Sequence, residues 1–229
     1  VLEDKLKKIC SLSIWDGIYA YTINEAEFLH ELKGRTAKII AAASLYHWNS
    51  SAVSETAALY PEMTVREIPI ELSGREVNAM LEHCYEKCLG QAEHIRNIKD
   101  IQKKEAFEVL IHGRIPVMQS TQCLKKTTGH CNKTSEEIWL EDKKGRKLPV
   151  TTHCRECYNL IWQDKPYDLI GEDLTGSIPY VTRHRFDLFH MSEKEIKEMK
   201  DRYLIWQENH FMCDLQKDDT EHHWNYGIE

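Results

Sequence analysis

Nowhere in the 229 residues does an apolar run approach the roughly 18 that a membrane-crossing helix needs. The opening Val1-Leu2-Glu3-Asp4-Lys5-Leu6-Lys7-Lys8 reads as an amphipathic start, not a secretory leader. A bacterial, cytoplasmic setting with no membrane partner is therefore expected. The first residue is Val where an initiator would be Met, which points to a fragment. Two hydrolase signatures are missing as well. There is no His-Glu-x-x-His that would hold a catalytic zinc on a helix, and no Gly-x-Ser-x-Gly nucleophile turn.

Basic residues are scarce overall, with 30 Lys and Arg against 37 Asp and Glu, but they are unevenly spread. Residues 121 to 155 hold eight Lys or Arg and four Asp or Glu, a net +4 that leaves −11 for the rest of the chain. Lys125, Lys126, Lys133, Lys143, Lys144, Arg146, Lys147 and Arg155 form this patch. It suits an anionic partner such as RNA, it offsets the charge of clustered thiolates, or it is a solvated lysine-rich hairpin.

The same segment carries Cys123, Cys131, Cys154 and Cys157 in the pattern Cys-x7-Cys-x22-Cys-x2-Cys, the chain's strongest chemical signal. A Cys-x2-Cys pair aims two sulfurs from one turn at a shared centre, and Gly129 lets the first pair fold back. Four thiolates satisfy either an iron–sulfur cluster or a structural zinc. The widened first pair favours iron–sulfur over zinc, and buried unligated thiols remain the plain reading. Cys84 and Cys88, four apart on an expected helix, read as core thiols, while Cys10 and Cys213 are isolated. His222-His223 reads as a solvated tail.

From Asp16 onward, short apolar runs alternate with amphipathic stretches, the pattern of successive strand–helix units and a parallel α/β sheet. Strands are expected at residues 17 to 21, 37 to 43, 65 to 68 and 107 to 111. Helices are expected from the cap Asn24 to 32, from 50 to 60 and from 73 to 89, with Gly34 and Pro61 as stops. Further on, residues 138 to 140 and 147 to 150 pair as a hairpin about Lys144-Gly145, and a helix spans 192 to 207. In such units functional groups gather just after the strands. That singles out Asn49, Glu71, His112 and Arg114.

The order of these blocks resembles the carboxyl-terminal part of the collagenase-like peptidase family, whose catalytic type is unknown. Leu45 to Asn49, Ile70-Glu71-Leu72, His112-Gly113-Arg114-Ile115-Pro116-Val117-Met118, Gln122-Cys123, Gly129-His130-Cys131, Asp142-Lys143-Lys144-Gly145 and Cys154-Arg155-Glu156-Cys157-Tyr158-Asn159 carry the resemblance. Thr220 and the closing Gly227-Ile228-Glu229 fit it too, whereas Glu221, His222 and Lys143 depart from it. The resemblance implies a partial parallel β/α (TIM-like) barrel over residues 1–118, followed by a cysteine-rich metal or iron–sulfur extension over 119–229. An amino-terminal half, or a partner subunit, would complete the barrel. Relatives that are not proteases carry a four-iron (4Fe-4S) cluster on four cysteines and perform oxygen-independent hydroxylation of RNA bases or quinone precursors, several with prephenate.

Carried over to this chain, the resemblance makes Cys123, Cys131, Cys154 and Cys157 cluster ligands. The expected activity is prephenate-linked hydroxylation of a base in tRNA or rRNA. Glu71 and His112 are the candidate catalytic groups, with Asn49, Arg114 and Arg155 as substrate-binding groups; arginine suits carboxylates and phosphates through its bidentate fork. Each has a structural alternative: Glu71 as a helix-start charge, His112 as a bonded loop histidine, Arg114 as an ion pair. The competing functions are a peptidase using a metal-bound water or a thiolate, and a structural zinc module that binds a partner.

Overall fold

The computed structural model of the protein describes residues 2–12, 14–32, 37–91, 106–175, 180–211 and 224. Gly34, the Cys88 and Cys213 side chains, His222-His223 and the closing Gly227-Ile228-Glu229 lie outside the described residues. The chain separates into two compact units. One comprises Val1–Leu110, Gly171–Arg185 and Trp206–Glu229; the other comprises Ile111–Ile170 and Phe186–Ile205. The division thus falls inside a strand near residue 110, ahead of the boundary expected after residue 118, and two later segments return to the first unit.

In the first unit, helix α1 (Leu2–Cys10) precedes the alternation β1 (Gly17–Ala20), α2 (Ile23–Glu31), β2 (Lys38–Ala41), α3 (Ser50–Leu59), β3 (Val65–Glu67), α4 (Gly74–Gln91) and β4 (Ala106–Gly113). Helix α2 starts at Thr22 and not at the expected Asn24. The Thr22 hydroxyl accepts from the Glu25 amide while the Glu25 carboxylate accepts from the Thr22 amide at 3.1 Å. This reciprocal cap satisfies two amides that a helix start otherwise leaves bare. Helix α4 is opened by the same device, Ser73 with Glu76.

The four strands pair in parallel in chain order, β1-β2-β3-β4, with β10 (Val181–Phe186) beyond β4. Alternation along a strand sends neighbouring residues to opposite faces. On one face Ala20, Ile39 and Ala41 join Ala26 and Leu29 of α2, Met63 and Cys10 in a buried cluster. Phe107 meets Tyr85 of α4 there, ring centroids 6.3 Å apart. The other face carries Tyr19, Ile40, Val65, Glu67 and Glu108, as the registers Tyr19↔Ile40, Ile40↔Val65 and Glu67↔Glu108 require.

In the second unit, the end of β4 pairs antiparallel with β9 (Tyr167–Asp168), setting His112 opposite Asp168. A four-stranded antiparallel sheet, ordered β5-β8-β7-β6, joins β5 (Pro116–Ser120), β6 (Glu137–Glu141), β7 (Lys147–His153) and β8 (Tyr158–Trp162). The hairpin about Lys144-Gly145 is present, pairing Glu141 with Lys147. Gly145 sits at φ +80°, a left-handed turn conformation that costs glycine least. Val150, Thr152, Asn159 and Ile161 form the buried face of this sheet. Helix α5 (Leu124–Thr127) lies between β5 and β6, and helix α6 (Glu193–Glu208), capped by Ser192 and Glu195, matches the expected helix to one residue.

Candidate functional site: a cysteine module and two buried polar clusters

All four cysteines of the motif lie in the second unit, Cys123 and Cys131 between β5 and β6, Cys154 and Cys157 between β7 and β8. Cys123 caps α5, its sulfur accepting from the Lys126 amide at 3.4 Å. Cys154 and Cys157 bracket the β7–β8 turn, where the Cys154 amide donates to Ser135 Oγ at 3.0 Å and its thiol to the Thr134 carbonyl at 3.1 Å. Cys157 has φ +58°. That left-handed conformation costs a residue with a Cβ about 1–2 kcal/mol, so the turn would favour glycine if no sulfur were needed there.

Two buried polar side chains tie the turns together. Asn159, 1% exposed, donates to the Gln122 carbonyl at 2.8 Å and to Ser120, which fixes β8 to the residue before Cys123. Lys125, 4% exposed, gives its ammonium to Glu136 at 2.5 Å, to the Thr134 carbonyl at 2.8 Å and to Asn132. The Glu136 bond raises its pKa above the ordinary lysine range, and the neighbouring Cys154 and Cys131 sulfurs act in the same direction. A buried cation thus sits beside two of the four cysteines, Cys131 and Cys154. Among the described residues no three Cys, His, Asp or Glu side chains are gathered closely enough to hold a metal ion. Four cysteine thiols nevertheless match an iron–sulfur or zinc donor set in chemistry and in number, and two of them, Cys131 and Cys154, neighbour the Lys125 ammonium.

The other expected site residues are engaged as follows. Asn49 caps α3, its side chain accepting from the Ala52 amide at 2.9 Å. Glu71 is half-buried in the turn after β3. Arg155 is exposed beside Glu156 at 3.9 Å. Arg114 donates from Nη1 to the Gln163 carbonyl at 2.9 Å and to the Asp164 carbonyl, and its buried Nε has no hydrogen-bond partner. His112 is 4% exposed, with Nδ1 3.4 Å from Asp168 Oδ1 and neither ring nitrogen in a hydrogen bond.

Asp168 is the residue that makes His112 interesting, and nothing local in the sequence announced it. Its Oδ2 accepts from Arg202 at 2.8 Å, and its Oδ1 accepts from the Ile170 amide at 2.9 Å. Burial alone would raise its pKa, but the contacts with His112 and Arg202 outweigh that and hold the carboxyl below the usual range. Hydrogen bonds from Ser192 likewise hold Glu195, which caps α6, below the usual carboxylate range, with the charge of Arg114 acting in the same sense.

A second cluster lies in the first unit on the face away from α2 and α4. Glu67 and Glu108 are 5% and 6% exposed and directly opposite on adjacent parallel strands, about 4.8 Å apart in backbone spacing. Glu67 accepts from Arg185 and from the Ala43 amide at 3.0 Å; Glu108 accepts from the Tyr19 hydroxyl. The Arg185 guanidinium lies 5.5 Å from the Tyr19 ring centroid. Burial, then the Glu108 hydrogen bond, raises the Tyr19 pKa, so the phenol stays protonated and donates. Alternation would have found this set: Val65-Arg66-Glu67 and Phe107-Glu108-Val109 place carboxylates where a buried parallel strand is expected to be apolar.

The basic hairpin completes the inventory. Lys143, Lys144 and Lys147 are exposed, Arg146 pairs with Asp142 at 2.7 Å, and an open depression is lined by Trp139, Glu141 and Lys147. No helix among the described residues is long and apolar enough to cross a membrane. No protein-family model, no curated protein and no solved structure matches this chain.

Proposed function

We propose that the protein carries an iron–sulfur cluster on Cys123, Cys131, Cys154 and Cys157 and supports oxygen-independent hydroxylation of an RNA base. The observation that carries the reading is the cysteine module: four thiols in one unit, the segment before Cys123 pinned to β8 by Asn159, with the buried Lys125 ammonium beside Cys131 and Cys154. Such a cluster, when bound, supplies one-electron chemistry. The chain's own groups do the rest. Lys125 offsets thiolate charge, and the exposed Lys143, Lys144 and Lys147 attract the phosphates of tRNA or rRNA. A hydroxyl-bearing co-substrate such as prephenate fits the family resemblance.

The finer fold belongs to the same proposal. Sequential parallel strands, with α2 and α4 on one face and a polar set on the other, support half of a β/α barrel whose interior face carries Tyr19, Glu67 and Glu108. An amino-terminal half or a partner subunit completes it.

The test is anaerobic purification with iron, sulfide and zinc analysis, followed by mass spectrometry of RNA nucleosides from cells with and without the gene. About four irons and four sulfides per chain, and a nucleoside lighter by one oxygen in the deletion and in Cys154→Ala, support the reading. Stoichiometric zinc with unchanged nucleosides selects a structural zinc module. Unchanged nucleosides with metal-dependent cleavage of gelatin select the peptidase.

A further inference from the structure

His112 and Asp168 are placed by backbone register, not by chance contact of long side chains. They are directly opposite on β4 and β9, so both side chains leave the same face of the pair. The Leu169 amide bonds the Ile111 carbonyl at 2.8 Å, and the Asp187 amide bonds the His112 carbonyl at 2.8 Å, which fixes the backbone on both sides of the imidazole. Gly113 permits the close packing: a Cβ there would lie 2.5 Å from Asp187 Cβ.

The carboxylate is anchored at both oxygens. Arg202 holds Oδ2, and the Ile170 amide holds Oδ1, the atom that faces His112 Nδ1 at 3.4 Å. Asp168 accepts from both Arg202 and the Ile170 amide, and a carboxylate held this way favours the tautomer that carries its proton on the facing Nδ1. In that tautomer Nε2 is a buried acceptor with no partner among the described residues; the Nε of Arg114, whose side chain like His112 acts on Glu195, is also without one. Other ionisable groups near the ring are Glu195 and Arg202 on α6, Arg114 after β4, and Asp187.

We infer that His112 and Asp168 form a general-base dyad, in which His112 Nε2 takes a proton from an O–H or N–H of a bound molecule and Asp168 positions the ring. On transfer, the donor's O–H or N–H bond breaks, its electron pair stays on the donor atom, and the proton forms an N–H bond at Nε2. The imidazolium so formed is stabilised by the ionised Asp168, and returning the proton closes the cycle. Asp168 does not itself take a proton, because Arg202 and the Ile170 amide keep it ionised. The 3.4 Å gap is the loose separation expected before a ligand tightens the pair.

The dyad is independent of the cluster, and only the second arm of its test rests on the function proposed above. In the first arm, the full chain is labelled with 15N histidine and the ring tautomers are read by long-range proton–nitrogen correlation, with His112 assigned by the signal lost in His112→Gln. The expected result is a neutral ring protonated at Nδ1. Asp168→Asn should convert it to the Nε2-protonated tautomer. Arg202 draws the amide oxygen to itself, and the NH2 group then faces Nδ1. Asp168→Glu should keep the original tautomer. A ring protonated at Nε2 in the wild type, or one unmoved by Asp168→Asn in a variant with unchanged circular dichroism, overturns the assignment.

In the second arm, the initial rate of nucleoside hydroxylation should fall about 100-fold or more in His112→Gln, the range general-base removal produces. Asp168→Asn should cost a similar factor and Asp168→Glu less. Equal activity of all three variants overturns the catalytic role. If the wild type hydroxylates nothing, the function proposed above falls, while the tautomer measurement still decides the dyad.

Discussion

Lowering the pH should weaken the first unit through one histidine well before its carboxylates titrate. His47 is 1% exposed, its Nε2 2.9 Å from Thr56 Oγ1, and burial followed by the nearby Arg66 charge pushes its pKa down to about 4. The unfolded chain holds histidine near 6.5, so between pH 6.5 and 4 the unfolded state binds more protons than the folded one. The stability of the folded state therefore drops as pH falls through this window and is intact above it. With these two values the loss from pH 7.5 to pH 5 is about 2 kcal/mol. At a urea slope of about 2 kcal/mol/M, that moves the midpoint down by about 1 M. The assay is urea unfolding at pH 7.5 and 5.0 for the wild type and His47→Gln, which keeps a partner for Thr56 but cannot titrate. His184, whose burial also lowers its pKa, contributes equally to both proteins and cancels in the difference. If the two proteins lose stability in parallel, within about 0.5 kcal/mol, His47 is not buried neutral and the argument fails.

Other perturbations separate local mechanisms. Thr22→Ala removes the reciprocal cap of α2 and should cost about 1 kcal/mol in urea unfolding, whereas Asn24→Ala should be near neutral. Gly74→Ala brings a Cβ within 2.7–2.9 Å of the Trp224 indole, so it should destabilise by about 1–3 kcal/mol and shift tryptophan emission. Asn159→Ala leaves the Gln122 and Ser120 carbonyls without their donor; about 1–3 kcal/mol of stability and a reduced iron or zinc content per chain should follow, read by metal analysis. Tyr19→Phe strips Glu108 of its hydroxyl donor at unchanged volume. It should cost about 1–3 kcal/mol in urea unfolding, the range for a buried acceptor deprived of its donor.

Local chemistry made the alternation of elements legible in the sequence. Apolar runs with helical or strand periods, Pro61 and the Lys144-Gly145 turn located β1 to β4, α3, α4, the β6–β7 hairpin and α6 to within a few residues. The miss at α2 came from reading Asn24 as a cap without testing Thr22-x-x-Glu25, a spacing that carries its own mechanism. The site was legible only in part. Cys154 and Cys157 announce themselves by spacing, and His112 by its place at the end of a strand. Asp168 joins His112 across 56 residues, and Arg185 reaches Glu67 across 118. Such pairings are set by sheet register and crossover topology, which no local window contains. The same reason hid the division near Leu110, because β4 is one uninterrupted strand in sequence while its two ends have different partners.

The strand order β5-β8-β7-β6 also dictates a sequence of events during synthesis. The hairpins β6–β7 and β7–β8 join neighbours in the chain and can close as soon as each second strand is made. Among the described residues strand β5 pairs with β8 alone, emerging some 40 residues later, so its pairing bears the larger loop-closure entropy and comes last. Cys123 and Cys131 ride in the loop that β5 leads into, whereas Cys154 and Cys157 sit in the turn that β8 leaves. The first two thiols therefore precede the second pair, which has yet to be translated and folded. Assembly of any centre on all four is thereby coupled to completion of this sheet, and an interrupted chain ending before residue 158 offers a ligand set that nothing has yet closed.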